Sequence, residues 1–346
     1  MPRDESYANA AAVPSEATFI SAFLSVDRMN AAISRVRSAV GERWDPTALE
    51  LGSVFVALTA VSLWSGLVAS AAQAVVGVLA GPPSSLLFVS AATSALGLCG
   101  GSVAYARYRG FDLGLSTPAS GTAAGAAAIV AAPVLLVAAA SAVGNALFGV
   151  PLSAVMQYGV SPDVSLGRLA LLVVPPAAFV GVGYGTVVSA VVVESVRGRV
   201  ASGDAVAVAT LVVGFFWLLP LRPVSRLPTG FGAAYELLVT LVFGVAFGAA
   251  LGVLYRRRRS SAGSRLSRRE AALVVVAAVG LVAAATGLTS AAEVVENLLW
   301  VVAFGLAAVG YHRTRSVWVA ALALSGFSVA LRLVAYVEAT VGVATF

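Results

Sequence analysis

Apolar residues dominate this chain in stretches of roughly membrane-spanning length, separated by short polar, glycine or proline breaks. The stretches fall at 51–80, 85–105, 121–148, 169–193, 205–219, 231–255, 271–288, 294–311 and 317–337. Gly81-Pro82-Pro83 ends the first, and Arg256 to Arg259 halt the sixth. A helix needs about 20 residues to cross about 30 Å of hydrocarbon, so only the fifth stretch is short. Pro133 and the pair Pro175-Pro176 interrupt the third and fourth, and membrane helices tolerate such breaks. The pattern predicts an all-α polytopic transmembrane bundle of about nine spans, with eight as the alternative count.

The segment before the first span reads differently. Residues 1–14 are expected to be a disordered tail. From Ser15, the residues Phe19, Phe23, Val26, Met29, Ile33, Val36 and Val40 recur at spacings of three and four. That spacing marks an amphipathic cytoplasmic or interfacial helix over 15–44, ahead of a transmembrane helical domain at 45–346. Acidic Asp4, Glu5 and Glu16 replace the basic stretch of a removable signal peptide, so none is expected.

Composition agrees with lipid as the solvent: 59% of the 346 residues are hydrophobic and 11% are charged. Every one of the 22 basic residues is arginine, and the net charge is +6. Counted by segment, 18 arginines fall before the first span and on alternate loops, 3 fall on the intervening loops, and Arg332 lies within the ninth span. Positive residues stay on the cytoplasmic side, so the N-terminus is expected there and the C-terminus outside the cell membrane. A re-entrant fifth stretch would put Arg256 to Arg259 outside, against this bias. The positive charge therefore points to membrane lipids as partners, not to nucleic acid. A membrane protein or a second copy of the chain is the other partner class.

Candidate chemistry is sparse. Ionisable groups inside a membrane are the default functional candidates. Arg332 is the clearest, and Glu293, Glu296 and Asn297 begin the eighth span at the same expected depth, with Tyr336 one turn beyond Arg332. An ion pair of Arg332 with Glu296 or Glu293 would lock two helices or wall a polar pocket, and Arg332→Leu is expected to destabilise the fold either way. Glu236, Gln73 and Asn145 are weaker candidates. Gly244, Gly248 and Gly252 lie one face apart on the sixth span and are expected to pack helices closely. Gly181, Gly183 and Gly185 follow no strand and are not a phosphate loop. Cys99 is the single cysteine and His312 the single histidine, so neither a disulfide nor a metal cluster is expected.

Three stretches carry a family likeness. They are Tyr105-Ala106-Arg107-Tyr108-Arg109-Gly110-Phe111-Asp112-Leu113-Gly114-Leu115, then Val180-Gly181-Val182-Gly183, then Gly248 to Arg256 at the end of the sixth span, with Gly305 to Trp318 as a closing helix pair. In order and character they resemble the CAAX-protease and bacteriocin-processing family of intramembrane metalloproteases, especially its archaeal versions. That resemblance implies two adjacent glutamates that activate water beside a metal held by histidines, with an asparagine closing the site. Here those glutamate positions fall on Tyr184 and Gly185, or by another anchor on Val192 and Val193. The next motif runs from Phe216 to Pro220, and the last histidine and asparagine fall on Leu324 and Ser328. None of these side chains can ligate a metal or take a proton from water.

The expectation is a non-catalytic integral membrane protein, a degenerate protease-like scaffold or subunit that binds a membrane partner or peptide. No catalytic, metal or cofactor residue is assigned. The alternative is a small-molecule permease or transport subunit, for which the interrupted spans and Arg332 with Glu296 are the motivating features. An enzyme of lipid chemistry would have to draw its acid or base from Glu194, Glu236, Glu293 or Glu296.

Overall fold

A computed structural model of the chain describes residues 45–79, 84–156, 164–220, 231–260, 267–288 and 290–341. The tail expected at 1–14 and the amphipathic helix expected at 15–44 lie outside the described residues. Among those described, the regular structure is helical throughout. Alanine, leucine and valine fill the runs, and in lipid the backbone must satisfy its own hydrogen bonds, so even valine-rich stretches coil into helices.

The helices are α1 (Pro46–Leu79), α2 (84–109), α3 (120–148), the short α4 (Leu152–Met156), α5 (166–197), α6 (Ser202–Leu218), α7 (Phe231–Ser260), α8 (Arg268–Thr286), α9 (Ala291–Thr314) and α10 (Val317–Thr340). Serine hydroxyls cap three of them: Ser165 accepts from Arg168 N, Ser290 accepts from Glu293 N, and Ser267 forms a reciprocal box with Glu270. Widened π-helical turns interrupt α2 at Thr93–Cys99, α3 at Gly144–Phe148 and α5 at Val187–Val193.

Eight of these helices are long and apolar enough to cross a membrane, which makes the chain a multi-pass integral membrane protein. The expected fifth span is α6, a helix of 17 residues, or about 25 Å at 1.5 Å per residue. Contacts at its two ends show that it runs the depth of the bundle. At its start, Ala201 N donates to Tyr255 Oη at 2.8 Å and Asp204 lies 3.8 Å from Arg259. At its finish, Leu219 and Pro220 share a small cavity with Tyr235 and Leu288. The bundle thus has an arginine end, which gathers 50, 105–115, 194–204, 255–260, 267–270 and 311–318, and an opposite end, which gathers 145–153, 164, 218–220, 287–288, 290–297 and 336–338.

Close helix approach places the core. Gly244, Gly248 and Gly252 of α7 all face α1; a methyl group at 252 would lie 2.6 Å from Ala48 Cα, and one at 244 would meet the Phe55 ring at 2.7 Å. On α5, Gly185 faces Ala321 of α10 at 2.7 Å by the same measure, and Gly183 faces Leu98 of α2. Glycine supplies the intimacy that the hydrophobic effect cannot supply between helices in lipid. The centre is aromatic. Trp217, Trp300, Phe304 and Tyr184 pack ring on ring with centroids 4.9–6.1 Å apart, Phe327 joins Trp300 at 4.9 Å, and Phe215 stacks on Phe247 at 4.0 Å.

Candidate functional site

The ion pairs of the bundle and the donors around its buried Glu338 sit at its two ends. The arginine end holds three layers of contact, two of them built on the helix-ending sequence Tyr105 to Leu115. Glu50, 4% exposed on α1, forms an ion pair with Arg109 at the end of α2. The Arg109 guanidinium also lies over the Tyr105 and Phe111 rings at 5.8 and 5.2 Å. Tyr105 Oη shares a hydrogen bond of 2.8 Å with Ser195 Oγ on α5.

Next to it, Glu194 accepts from Arg315 at 2.5 Å. Arg315 covers the Tyr311 ring at 5.5 Å, and buried Tyr311 donates its hydroxyl to Asp112 O at 3.3 Å. The loop after α2 locks onto the α9–α10 turn through Val317 N to Gly114 O at 3.0 Å and Trp318 Nε1 to Leu115 O at 2.9 Å. Gly114 sits at φ +58°, and a Cβ there would strike the Arg315 carbonyl. Arg315 is itself left-handed at φ 56°. At the third layer, Arg256 and Arg257 clamp Glu270 at 3.0 and 2.6 Å.

At the opposite end the structure assembles a site that the sequence reading did not single out. Glu338, 5% exposed near the end of α10, accepts from Ser141 Oγ at 2.5 Å, Asn145 Nδ2 at 3.3 Å, Leu152 N at 3.1 Å and Ser153 N at 2.7 Å. The left-handed turn at Gly149 brings the start of α4 back onto the end of α3, so both helices aim donors at one carboxylate. Asn145, a weaker candidate by sequence, is part of this clamp.

The expected cluster around Arg332 is not drawn together by bonds. Arg332 makes no ion pair with Glu293 or Glu296. Phe327 meets Trp300 across the α9–α10 contact, and Arg332 lies five residues further on, rotated roughly 140° off that line at 3.6 residues per turn. Tyr336 instead donates to Val164 O at 3.1 Å, and Asn297 Nδ2 donates to Glu293 O, one turn back on its own helix, at 2.6 Å. Glu236 is half-buried near the start of α7, and His312 is half-buried in the last turn of α9.

Open volume lies at the side of the bundle. A groove of about 920 Å³ runs between α1 and α2, with Trp64, Val68, Phe88, Leu96, Ala104 and Tyr108 among its walls. The Trp64 indole N–H donates to Leu96 O at 2.8 Å across the groove, and Leu96 belongs to the π-helical turn of α2. Beside the aromatic cluster, a space of about 20 Å³ between Ser62, Tyr184, Val213, Phe216, Trp217 and Phe304 has room for about one water.

Most positions that the family resemblance would assign to catalysis are core, although Pro220 is exposed. Val192, Val193 and Leu324 are fully buried, and Tyr184 stacks in the aromatic cluster. Among the described residues no group of three His, Cys, Asp or Glu side chains could hold a metal ion. Among the described residues, the best-buried carboxylates join helices: Glu50 is held by Arg109, and Glu338 by neutral donors from two other helices. Compared with known protein families, with curated proteins and with solved structures, the chain shows no match.

Proposed function

We propose that this integral membrane protein is non-catalytic, a scaffold or subunit that binds a membrane partner, and a degenerate relative of the intramembrane metalloproteases it resembles. One observation carries the reading: Glu50, Glu194, Glu270 and Glu338 are each engaged in fixed contacts between chain segments. A carboxylate held in this way is a poor base toward water, since its lone pairs are already occupied. The stretches that carry the resemblance support it further. Residues 105–115 and 311–318 contact each other as structural partners, around Tyr311 and Asp112. A transport route is less well supported, because among the described residues the space beside the aromatic cluster at Tyr184, Trp217 and Phe304 has room for about one water.

In this reading the arginine end faces the cytoplasm of the cell membrane and the C-terminus lies outside, following the positive-inside bias. The test of the non-catalytic role is direct. Purified protein in nanodiscs, incubated with a membrane-anchored peptide and zinc, cobalt or manganese, leaves the peptide intact. Cleavage that depends on added metal and stops with a chelator would overturn it.

A further inference from the structure

The α1–α2 groove has the size, polarity and position of a lipid site, and this inference holds whether or not the protein is catalytic. Its walls are aliphatic and aromatic. Trp64, Phe88, Leu96 and Tyr108 are each about half to two-thirds exposed, so the groove opens sideways toward the membrane, not toward the core. Small residues deepen it, Ala60 on one wall and Gly100 and Ala104 on the other. A water occupies about 30 Å³ in the liquid and a methylene is of similar size, so 920 Å³ holds roughly 30 such groups, the content of two acyl chains. The groove is also fixed in width. The Trp64–Leu96 bond spans it, using a carbonyl from the widened turn at Thr93–Cys99, and π-turns of this kind recur at functional sites.

Charge sets the orientation and class of the occupant. The groove ends at Tyr105 and Tyr108, at the arginine end of the bundle. Arg109 there is already matched by Glu50. Arg107, on the same helical turn, is exposed and makes no ion pair with any described residue. The other rim, around Val75 and Phe88, presents only apolar side chains among the described lining. We propose that the groove binds one anionic phospholipid from the arginine-end leaflet, with its acyl chains along Trp64 and Leu96 and its phosphate on Arg107 beside the Tyr108 hydroxyl.

Trp64 lies in the groove and reports on its contents. The full chain is reconstituted in vesicles that carry dibrominated phosphatidylglycerol or dibrominated phosphatidylcholine at equal mole fraction, and the Trp64 signal is isolated by subtracting the Trp64→Phe variant. The expected result is at least twofold stronger quenching of Trp64 by the brominated phosphatidylglycerol. Arg107→Gln should bring the two lipids to parity. Ala60→Phe with Ala104→Phe, which fills the groove from both walls, should remove most quenching by either lipid while the thermal midpoint stays near that of the parent. Equal quenching by both lipids in the parent would overturn the proposal, as would a preference that survives Arg107→Gln. Trp64 shielded from both lipids in a protein that migrates as a dimer would instead assign the groove to a second copy.

Discussion

Ser153 gives its backbone N–H to the Glu338 carboxylate at 2.7 Å, joining residues 185 positions apart in the chain. Leu152 N–H, Ser141 Oγ and Asn145 Nδ2 converge on the same carboxylate, so one side chain ties α3, α4 and α10 at one end of the bundle. Removing the acceptor strands several buried donors at once, each worth about 1–3 kcal/mol. Glu338→Ala is therefore expected to cost on the order of 3 kcal/mol, and Glu338→Gln, which keeps one acceptor oxygen, about half of that. Thermal unfolding in detergent, compared at one scan rate, checks the order; an alanine variant as stable as the parent would remove the clamp from the account.

Glu50 and Arg109 should behave as a unit. A buried pair adds little net stability over apolar replacements, but loss of one partner leaves a buried charge uncompensated, at a cost of about 3–5 kcal/mol. Arg109→Leu is expected to be markedly less stable than Glu50→Leu with Arg109→Leu together. A double-mutant cycle on unfolding midpoints measures the coupling. Additive effects would mean that the two charges do not depend on each other.

Two glycines at positive φ make a matched comparison. Gly110 at φ +67° has nothing near its missing Cβ, whereas at Gly114 the Cβ would collide with the Arg315 carbonyl. Gly110→Ala should cost only the conformational penalty of about 1 kcal/mol. Gly114→Ala should cost clearly more, by displacing the loop from the α9–α10 turn. Equal losses at the two positions would argue against the lock between Gly114 and Val317.

Arg332→Leu reverses an expectation drawn from sequence. Without an ion pair to Glu293 or Glu296, the arginine contributes charge to an apolar helix and no matching bond. The substitution is expected to leave the unfolding midpoint unchanged or to raise it. A drop comparable to that of Glu338→Ala would restore Arg332 to a structural role.

The helices were legible because a membrane span announces itself in length and hydropathy, and the ends of α1, α7 and α9 follow Gly-Pro and arginine punctuation. The arginine asymmetry told which end of the helices would carry the positive charge, but not that Glu50, Glu194 and Glu270 would each find a guanidinium partner there. Glu338 was not legible. Its donors come from a turn far away in sequence, two of them are backbone N–H groups of the kind every residue carries, and neighbours on its own helix are apolar. The Arg332 pair failed for a geometric reason: depth is readable from residue count, but rotation about the helix axis is fixed by ring packing such as Trp300 on Phe327. The groove escaped notice because alanine and glycine in an apolar run look the same whether they touch a helix or leave a furrow.

The central claim is a two-ended bundle in which nine helices among the described residues run between an arginine end and its opposite. Single-cysteine variants in a Cys99→Ala background test it, with Gly203→Cys and Ser260→Cys at the arginine end and Ser165→Cys and Ser290→Cys at the other. In intact cells, a membrane-impermeant maleimide should label 165 and 290 and spare 203 and 260 until the membrane is opened. Labelling that places 203 and 260 on different sides, or all four on the same side, would contradict it.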